Sequence, residues 1–426
     1  MRTAAAHKLP RPLRWLYPGL GVKRWYALML VGMACLGLGV LLLFNLFAPD
    51  LVALVGSANV WWAGPLLIVL GLAVVATGVN GVVRAVARAV LPSRDTQLVD
   101  VMLSRRSRGE LRVTCVGGGT GLATLLRGLK LHTDNLAAVV TVSDDGGSSG
   151  RLREELNMLA PGDVRNCLVA LADSEPLMTR LFDFRFGEEE GNLAGHSFGN
   201  LFIGALTRVS DGDFLQAVRD CSHILAIRGE VLPPTVEPVT LWAHLRTGED
   251  VRGETAVASS HGQVEYCYLD PPAPRVLPEV LEALERAEVV VIGPGSVYTS
   301  LVPNLLVPGL AQRLADLPVP RIYVCNVMTQ PGETDGFGAV DHVQALLAHA
   351  QEPVFDYVLL NTRRPGEDVI ARYLAEGAEF VDPDARGIAR LGFVPVCGDL
   401  IAEGSWARHD PTKLAKAILE LVAEHR

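Results

Sequence analysis

Apolar positions follow three rhythms along this chain. Residues 26–48, YALMLVGMACLGLGVLLLFNLFA, and 60–83, VWWAGPLLIVLGLAVVATGVNGVV, are uncharged runs of 23 and 24 residues. Each is long enough to cross a hydrocarbon layer of about 30 Å as a helix. Trp25, Tyr26, Trp61 and Trp62 stand at run ends, where interfacial aromatics belong. From Leu111 short apolar runs alternate with amphipathic ones. LRVTCV, LAAVVTV, EVVVIG, RIYVCNV and FDYVLL read as buried strands, and LATLLRGLK, PEVLEALERA, DHVQALLAHA and EDVIARYLAEG as helices between them. That alternation predicts an α/β fold, a doubly wound parallel sheet covered on both faces. HDPTKLAKAILELVAEHR predicts a closing helix with Asp410 as N-cap and Pro411 at its first position. The third rhythm fills about 150–275, where DVRNCLVALA, PLMTRLFDF, SFGNLFIGALTRV and DFLQAVRDCSHIL read as helices before a hairpin signal at TGED. It predicts a mainly helical insertion over the sheet.

Charge turns the two long runs into a topology. Asp50 is the one charge in the link between them, so residues 1–94 are expected to form a two-helix transmembrane hairpin rather than a signal peptide. Arg2, Lys8, Arg11, Arg14, Lys23 and Arg24 precede the first run, and Arg84, Arg88 and Arg94 follow the second. Positive flanks place both termini and the soluble part in the cytoplasm and favour anionic membrane lipid at the stem. A charged linker, 95–110, leads to the α/β domain, 111–426. Residues 1–94 carry nine Lys and Arg against one acid, a balance of +8, so the net charge of −9 leaves −17 on the rest. An acidic domain argues against nucleic acid as a partner. The seven cysteines have no CxxC or zinc spacing and mostly lie in apolar runs, as free thiols of a reducing compartment do.

In a doubly wound sheet, ligands bind beyond the carboxyl ends of the strands, and each unusual loop here follows an expected strand. Gly117, Gly118, Gly119, Thr120 and Gly121 end the first. Their bare N–H groups and the positive end of the next helix suit an anion, although a tight turn also selects glycine. Asp144 and Asp145, then Gly146, Gly147, Ser148 and Ser149, end the second strand, the acids 23 and 24 residues after Gly121. An acid at that interval commonly accepts a ribose hydroxyl bond. Alternatively the two carboxylates hold Mg²⁺ against a phosphate, or simply cap the RLREEL helix. Gly295 and Ser296, in GPGSVYTS, suit a second anion cradle with Ser296 and Thr299 as hydroxyl donors, although an ordinary Gly-Pro turn with a serine cap has the same composition. Asn326, with Thr329, Gln330 and Thr334, ends another strand. PGDVRNCL sets Asp163 and Asn166 at a helix start, and GHSFGN does the same for His196 and Asn200. There is no GxSxG, HExxH or Walker lysine motif, which disfavours ester hydrolysis, zinc proteolysis and P-loop chemistry.

Together, GGGTGLATLLRGLK, VVTVSDDGGSSGRLREEL, PGDVRNCLVALA, GHSFGNLFIGAL, GPGSVYTSLVPNLLV and CNVMTQPGETDGF resemble the gluconeogenesis factor family, relatives of 2-phospho-L-lactate transferase, from about Arg112 to the C-terminus. The resemblance implies a Rossmann-like cytosolic domain that binds UDP-sugars such as UDP-N-acetylglucosamine. It also implies a role in carbon-source-dependent cell shape and cell-wall precursor supply. It sets Gly118, Gly119 and Thr120 on a diphosphate, Asp144 and Asp145 in the acidic, Mg²⁺-using loop of the transferases, and Asn166 and Asn200 along the cleft. Tyr373 in YLAEGA and Arg408 in WARHDP correspond to nucleotide-sugar contacts. The N-terminal hairpin is not part of the shared core and points to work at the membrane, beside cell-wall synthesis or regulatory proteins. A homo-oligomer is the expected state. Three functions stand as expectations: a sensor of UDP-sugar that requires no cofactor, a Mg²⁺-dependent transferase of a phosphoryl-linked group, and an NAD-binding protein.

Overall fold

The structure, a computed structural model, describes residues 23–47, 62–90, 111–173, 176–261, 264–404 and 406–424. The expected linker lies outside them, as do the ends of both long apolar runs at 48 and 60–61. Met1–Arg106 and Ser107–Arg426 form two compact units.

In the first unit, α1 (Lys23–Phe47) and α2 (Ala63–Val90) pack against each other. Glycines give the register: a Cβ on Gly32 would lie 2.8 Å from Val75, one on Gly39 2.8 Å from Ile68, and one on Gly71 2.7 Å from Leu36. As one number of each pair rises the other falls equally, so the helices are antiparallel. Gly64, Gly71 and Gly78 recur every seventh residue on α2 and let the two backbones approach, as small residues do between membrane helices. Leu30, Val31, Leu41, Leu66, Val69 and Leu72 are exposed. Ala63–Val82 is long and apolar enough to cross a membrane, whereas the apolar stretch described in α1, Ala27–Leu43, is shorter. One such helix is therefore found where the sequence suggested two, because the described apolar window of α1 stops at Leu43.

The second unit is built on a parallel sheet of seven strands. β1 (Val113–Gly117) leads through α3 (Gly119–Leu129) to β2 (Leu136–Val140). Five helices follow: α4 (Gly147–Leu156), α5 (Gly162–Leu171), α6 (Pro176–Asp183), α7 (Phe198–Val209) and α8 (Phe214–Leu225). They lead to the short β3 (Glu230–Leu232). A separate antiparallel sheet then forms from β4 (Thr240–Leu245), β5 (Asp250–Arg252) and β6 (Val264–Asp270), with α9 (Glu254–Ala258) between the last two. The span 150–275 thus holds a helical cluster, one strand of the main sheet and this small sheet; the TGED turn joins β4 to β5. The chain returns through α10 (Pro278–Arg286) to β7 (Val289–Ile292), then α11 (Val302–Leu305), α12 (Leu310–Ala315) and β8 (Arg321–Val324). It closes with α13 (Ala339–Ala350), β9 (Tyr357–Asn361), α14 (Glu367–Ala375), α15 (Ala385–Arg390), β10 (Val394–Gly398) and α16 (Pro411–Glu424).

Period-two alternation splits the strands between two cores. Val113, Cys115, Val289, Val291, Ile322 and Val324 join α3, α5 and α16 on one face. Val116, Val290, Ile292, Tyr323 and Val358 join α10, α13 and the small sheet on the other. The α3 leucines 122, 125, 126 and 129 have no exposed surface, a stripe worth about 1.5–3 kcal/mol per side chain. Strand order is β10-β9-β8-β7-β1-β2-β3. The chain therefore winds one way from β1, then restarts at β7 on its other side, which makes the β1/β7 boundary the switch point where such sheets open a crevice. One sheet edge is the three-residue β3. At the other, Val394 N donates to Asp356 O of the β9 side, so Pro395 turns its backbone outward.

Candidate functional site

The crevice at the switch point is a cleft of about 530 Å³. Its first wall is the loop after β1. Gly118 precedes α3 as an N-cap without a side chain; Asp163 takes the first N–H of the helix, that of Gly119, and the next ones, at Thr120 and Gly121, have no side-chain acceptor among the described residues. Gly119 has φ +66, and a Cβ on Gly121 would lie 2.5 Å from the Pro294 carbonyl oxygen. Glycine is required at both positions, by backbone conformation at the first and by the abutting β7 loop at the second. Gly119, Thr120 and Gly121 line the cleft together with Asn166, Gly295, Ser296, Asn326, Tyr373 and Arg408. Nine positions singled out from the sequence therefore meet in one place.

Arg127 lines the same cleft, one turn along α3 from Thr124 and two from Thr120. It forms no ion pair among the described residues. Opposite, Tyr373 meets the Trp406 indole edge-on at 6.2 Å, and Arg408 and Arg372 lie over that indole at 5.6 and 5.7 Å. Of these, Tyr373 and Arg408 line the cleft, and Trp406 and Arg372 pack behind them. His409 also lines the cleft, and burial pulls its imidazole down to about 4, so it is neutral.

The second wall is the loop after β7, which turns through a single π-turn at Val297–Leu301. Glu333 lies beneath it with no exposed surface. Its carboxylate accepts from Thr299 Oγ1 at 2.7 Å, Gln330 Nε2 at 2.9 Å and Tyr298 N at 3.3 Å. Burial pushes its pKa up to about 7, against the opposing pull of those donors. Ser296 Oγ donates to Gln330 Oε1 at 2.5 Å, and Asn326 Nδ2 to Gly295 O at 2.8 Å. The hydroxyl protons of Ser296 and Thr299, expected to face an anion, are instead committed to neighbours, Thr299's to the buried Glu333 and Ser296's to Gln330 at the cleft wall.

The loop after β2 does not line the cleft. Gly117, Gly118, Asp144, Asp145, Gly146, Gly147, Ser148, Ser149 and Asn200 all lie behind or beside it. Asp144 Oδ1 accepts from Gly146 N at 2.8 Å. Asp145 Oδ1 accepts from Thr255 N at 3.0 Å and Thr255 Oγ1 at 2.9 Å, which holds the start of α9. Ser148 Oγ meets His196 Nδ1 at 3.0 Å and accepts from Asn200 Nδ2 at 3.1 Å, all three buried, so this hydroxyl–imidazole pair ties α4 to α7. Gly118 backs onto Asp163: a Cβ there would lie 2.5 Å from Asp163 Oδ2. Asp163 as a whole is only partly covered, but its carboxyl is enclosed and accepts from the Gly119 N–H. Desolvation, with Asp144 adding repulsion, raises it to about 6. Glu254 is raised well above the ordinary range by burial, with Asp163 and Asp144 as its nearest negative neighbours, and its Oε2 is buried without a hydrogen-bond partner. Among the described residues no three His, Cys, Asp or Glu side chains are grouped to hold a metal.

Sequence reasoning missed Glu333, Glu254 and Arg127. Arg127 carried a usable signal, since Thr120, Thr124 and Arg127 share the α3 face opposite the leucines. Glu333 and Glu254 are single acids in loop-like segments, and only tertiary packing buries them. A larger groove, about 800 Å³, runs between β10 and α16. It lies at a sheet edge away from the switch point and holds none of the strand-end loops on either side of β1, so the smaller cleft is the candidate site.

Comparison with known proteins gives a consistent picture. The 2-phospho-L-lactate transferase CofD family model matches residues 113–401. The gluconeogenesis factor of Bacillus subtilis (strain 168) is 41% identical over 315 residues, covering 74% of this chain and 98% of the relative. A Nostoc sp. protein named for the same factor is 41% identical over 433 residues, covering 98% of this chain and 94% of its own length. The first match spans a share that the α/β domain alone accounts for; the second reaches into the N-terminal unit as well. A crystal structure of a Bacillus halodurans protein is 43% identical, with a TM-score of 0.70 over 73% of this chain and 100% of that one.

Proposed function

The chain belongs to the gluconeogenesis factor family, with a CofD-type α/β domain, and from that premise we propose that its switch-point cleft binds a UDP-sugar of the UDP-N-acetylglucosamine kind. The observation that carries the reading is the meeting of two chemistries in one cleft of about 530 Å³. The N–H groups of Thr120 and Gly121 with Arg127 and Arg408 suit a diphosphate, and Tyr373, held edge-on by Trp406 behind it, suits a flat or partly apolar ring. The Ser148–His196 pair lies outside the cleft, which favours sensing over turnover. The protein would act from the membrane, held by a two-helix hairpin with both termini cytoplasmic, as a homo-oligomer that regulates cell-wall synthesis and shape. The tight antiparallel packing of α1 and α2 and their exposed apolar side chains support that hairpin.

A second reading is a Mg²⁺-dependent transferase acting on a nucleotide. Asp163 and Asp144, neighbours behind the β1 loop, favour it, since hard carboxylate oxygens suit Mg²⁺. Bound there, the ion would neutralise a phosphoryl group in transfer. Calorimetric titration of the full-length protein in detergent micelles with UDP-N-acetylglucosamine, with and without Mg²⁺, decides between them. Saturable binding with the ligand recovered intact upholds the sensor. Product that appears only with Mg²⁺ moves the weight to the transferase, and tighter binding of NAD than of UDP-sugar would replace both. Reporter fusions at each terminus test the topology: termini on opposite sides would rule out the hairpin, and both outside would reverse its orientation.

A further inference from the structure

By composition the β7 loop, GPGSVYTS, is an anion cradle, yet its hydrogen bonds run the wrong way for one. Each of the three groups bonded to the Glu333 carboxylate is a donor: Thr299 Oγ1, Gln330 Nε2 and Tyr298 N. Once ionised, above about pH 7, the carboxylate among these donors is a pure acceptor, and it fixes which end of the Gln330 amide faces it. The amide nitrogen turns to Glu333, and the amide oxygen is left facing Ser296. Ser296 Oγ donates to that oxygen at 2.5 Å. A serine hydroxyl has one proton, and once it is committed only lone pairs remain for anything else. Ser296 is half-buried and lines the cleft beside Gln330.

We propose that Ser296 meets the ligand as a hydrogen-bond acceptor, its proton held through Gln330 by the buried Glu333 carboxylate, so that the β7 loop selects a hydroxyl or N–H of a sugar or ribose and leaves the phosphates to α3 and the arginines. The inference rests on the reading of the cleft as a nucleotide-sugar site. A phosphate oxygen brought to Ser296 would set lone pair against lone pair. A ligand hydroxyl would instead extend the chain through Ser296 and Gln330 to Glu333, each bond polarising the next. Ser296 is the contact residue, and Gln330 and Glu333 are positioning residues that never touch the ligand's phosphates.

The test compares two probes on the full-length protein in detergent micelles: UDP-N-acetylglucosamine and inorganic pyrophosphate, titrated into wild type, Ser296→Ala and Glu333→Gln. Ser296→Ala and Glu333→Gln should each weaken the UDP-sugar about five- to tenfold and leave pyrophosphate affinity unchanged. Equal losses for both probes would mean that Ser296 donates to phosphate, and would overturn the proposal. Unchanged UDP-sugar affinity in Ser296→Ala would overturn it too. Should Glu333→Gln fail to fold, Gln330→Leu replaces it, with the same selective loss expected. A wild type that binds pyrophosphate alone, or neither probe, ends the nucleotide-sugar reading itself and the inference with it.

Discussion

The loops that flank the switch point are built from similar residues and face the cleft with opposite polarity. After β1, glycines on either side of Thr120 bring the α3 backbone to the cleft, and the N–H groups of Thr120 and Gly121 remain as donors. After β7, Thr299 gives its hydroxyl proton to the buried Glu333 and Ser296 gives its own to Gln330, so the Ser296 hydroxyl is left as an acceptor. Small polar composition at a strand end therefore does not decide what a loop binds. The partner hidden beneath it does.

The sharpest way to break that comparison is to force the two loops apart. Gly121→Ala would place a methyl group 2.5 Å from the Pro294 carbonyl oxygen. It should cost about 1–3 kcal/mol of stability, as overpacking does, and abolish UDP-sugar binding; thermal unfolding followed by titration reads both. A variant of wild-type stability and affinity would show that the walls are independent.

Removing charge from the donor side should have the next largest effect. Arg408→Ala should weaken UDP-sugar binding about tenfold or more, the scale of a hydrogen bond to a charged group. Arg127 is exposed and unpaired among the described residues, so Arg127→Ala should cost only about threefold and lose its effect in high salt. An Arg127 effect that persists in high salt would mark a closer contact than the cleft suggests.

The third strand-end loop, after β2, sharpens the contrast from outside the cleft. Asp145→Ala removes the cap on α9 and should cost about 0.5–2 kcal/mol of stability. Affinity for the UDP-sugar should stay within a factor of about two. Loss of binding without loss of stability would bring Asp145 back as a ligand or metal contact.

The smallest effect is in the pH dependence of the buried acceptor. Glu333 holds its proton up to about 7 in the folded chain, against an ordinary value of 4.5. The folded state therefore binds more protons than the unfolded state in that window, and the stability tied to this group falls as pH rises through it. Glutamine does not titrate. The melting temperature of Glu333→Gln relative to wild type should climb from about pH 5 to about pH 8, and a flat difference would place Glu333 in a solvated setting.

Much of this was legible in the sequence because it is local. Apolar runs such as AAVV and VVVI, glycine at 119 and 121, and loops at strand ends reflect short-range chemistry, and parallel strands buried on both faces write it plainly. What was not legible depends on distant partners. Asp145 reads as a nucleotide ligand until Thr255, 110 residues away, is seen on its carboxylate. Ser296 reads as a donor until Glu333 is placed beneath it. β3 has three residues, too few for any pattern to declare it part of the main sheet.

The two ends of that sheet carry a consequence for how copies of the chain can meet. β3 offers three residues of ladder, and the backbone of β10 that turns outward at Pro395 has no N–H to lend. Both edges are therefore poor templates for another strand. Chains crowded at one surface would thus be spared the edge-to-edge growth that turns exposed sheets into aggregates.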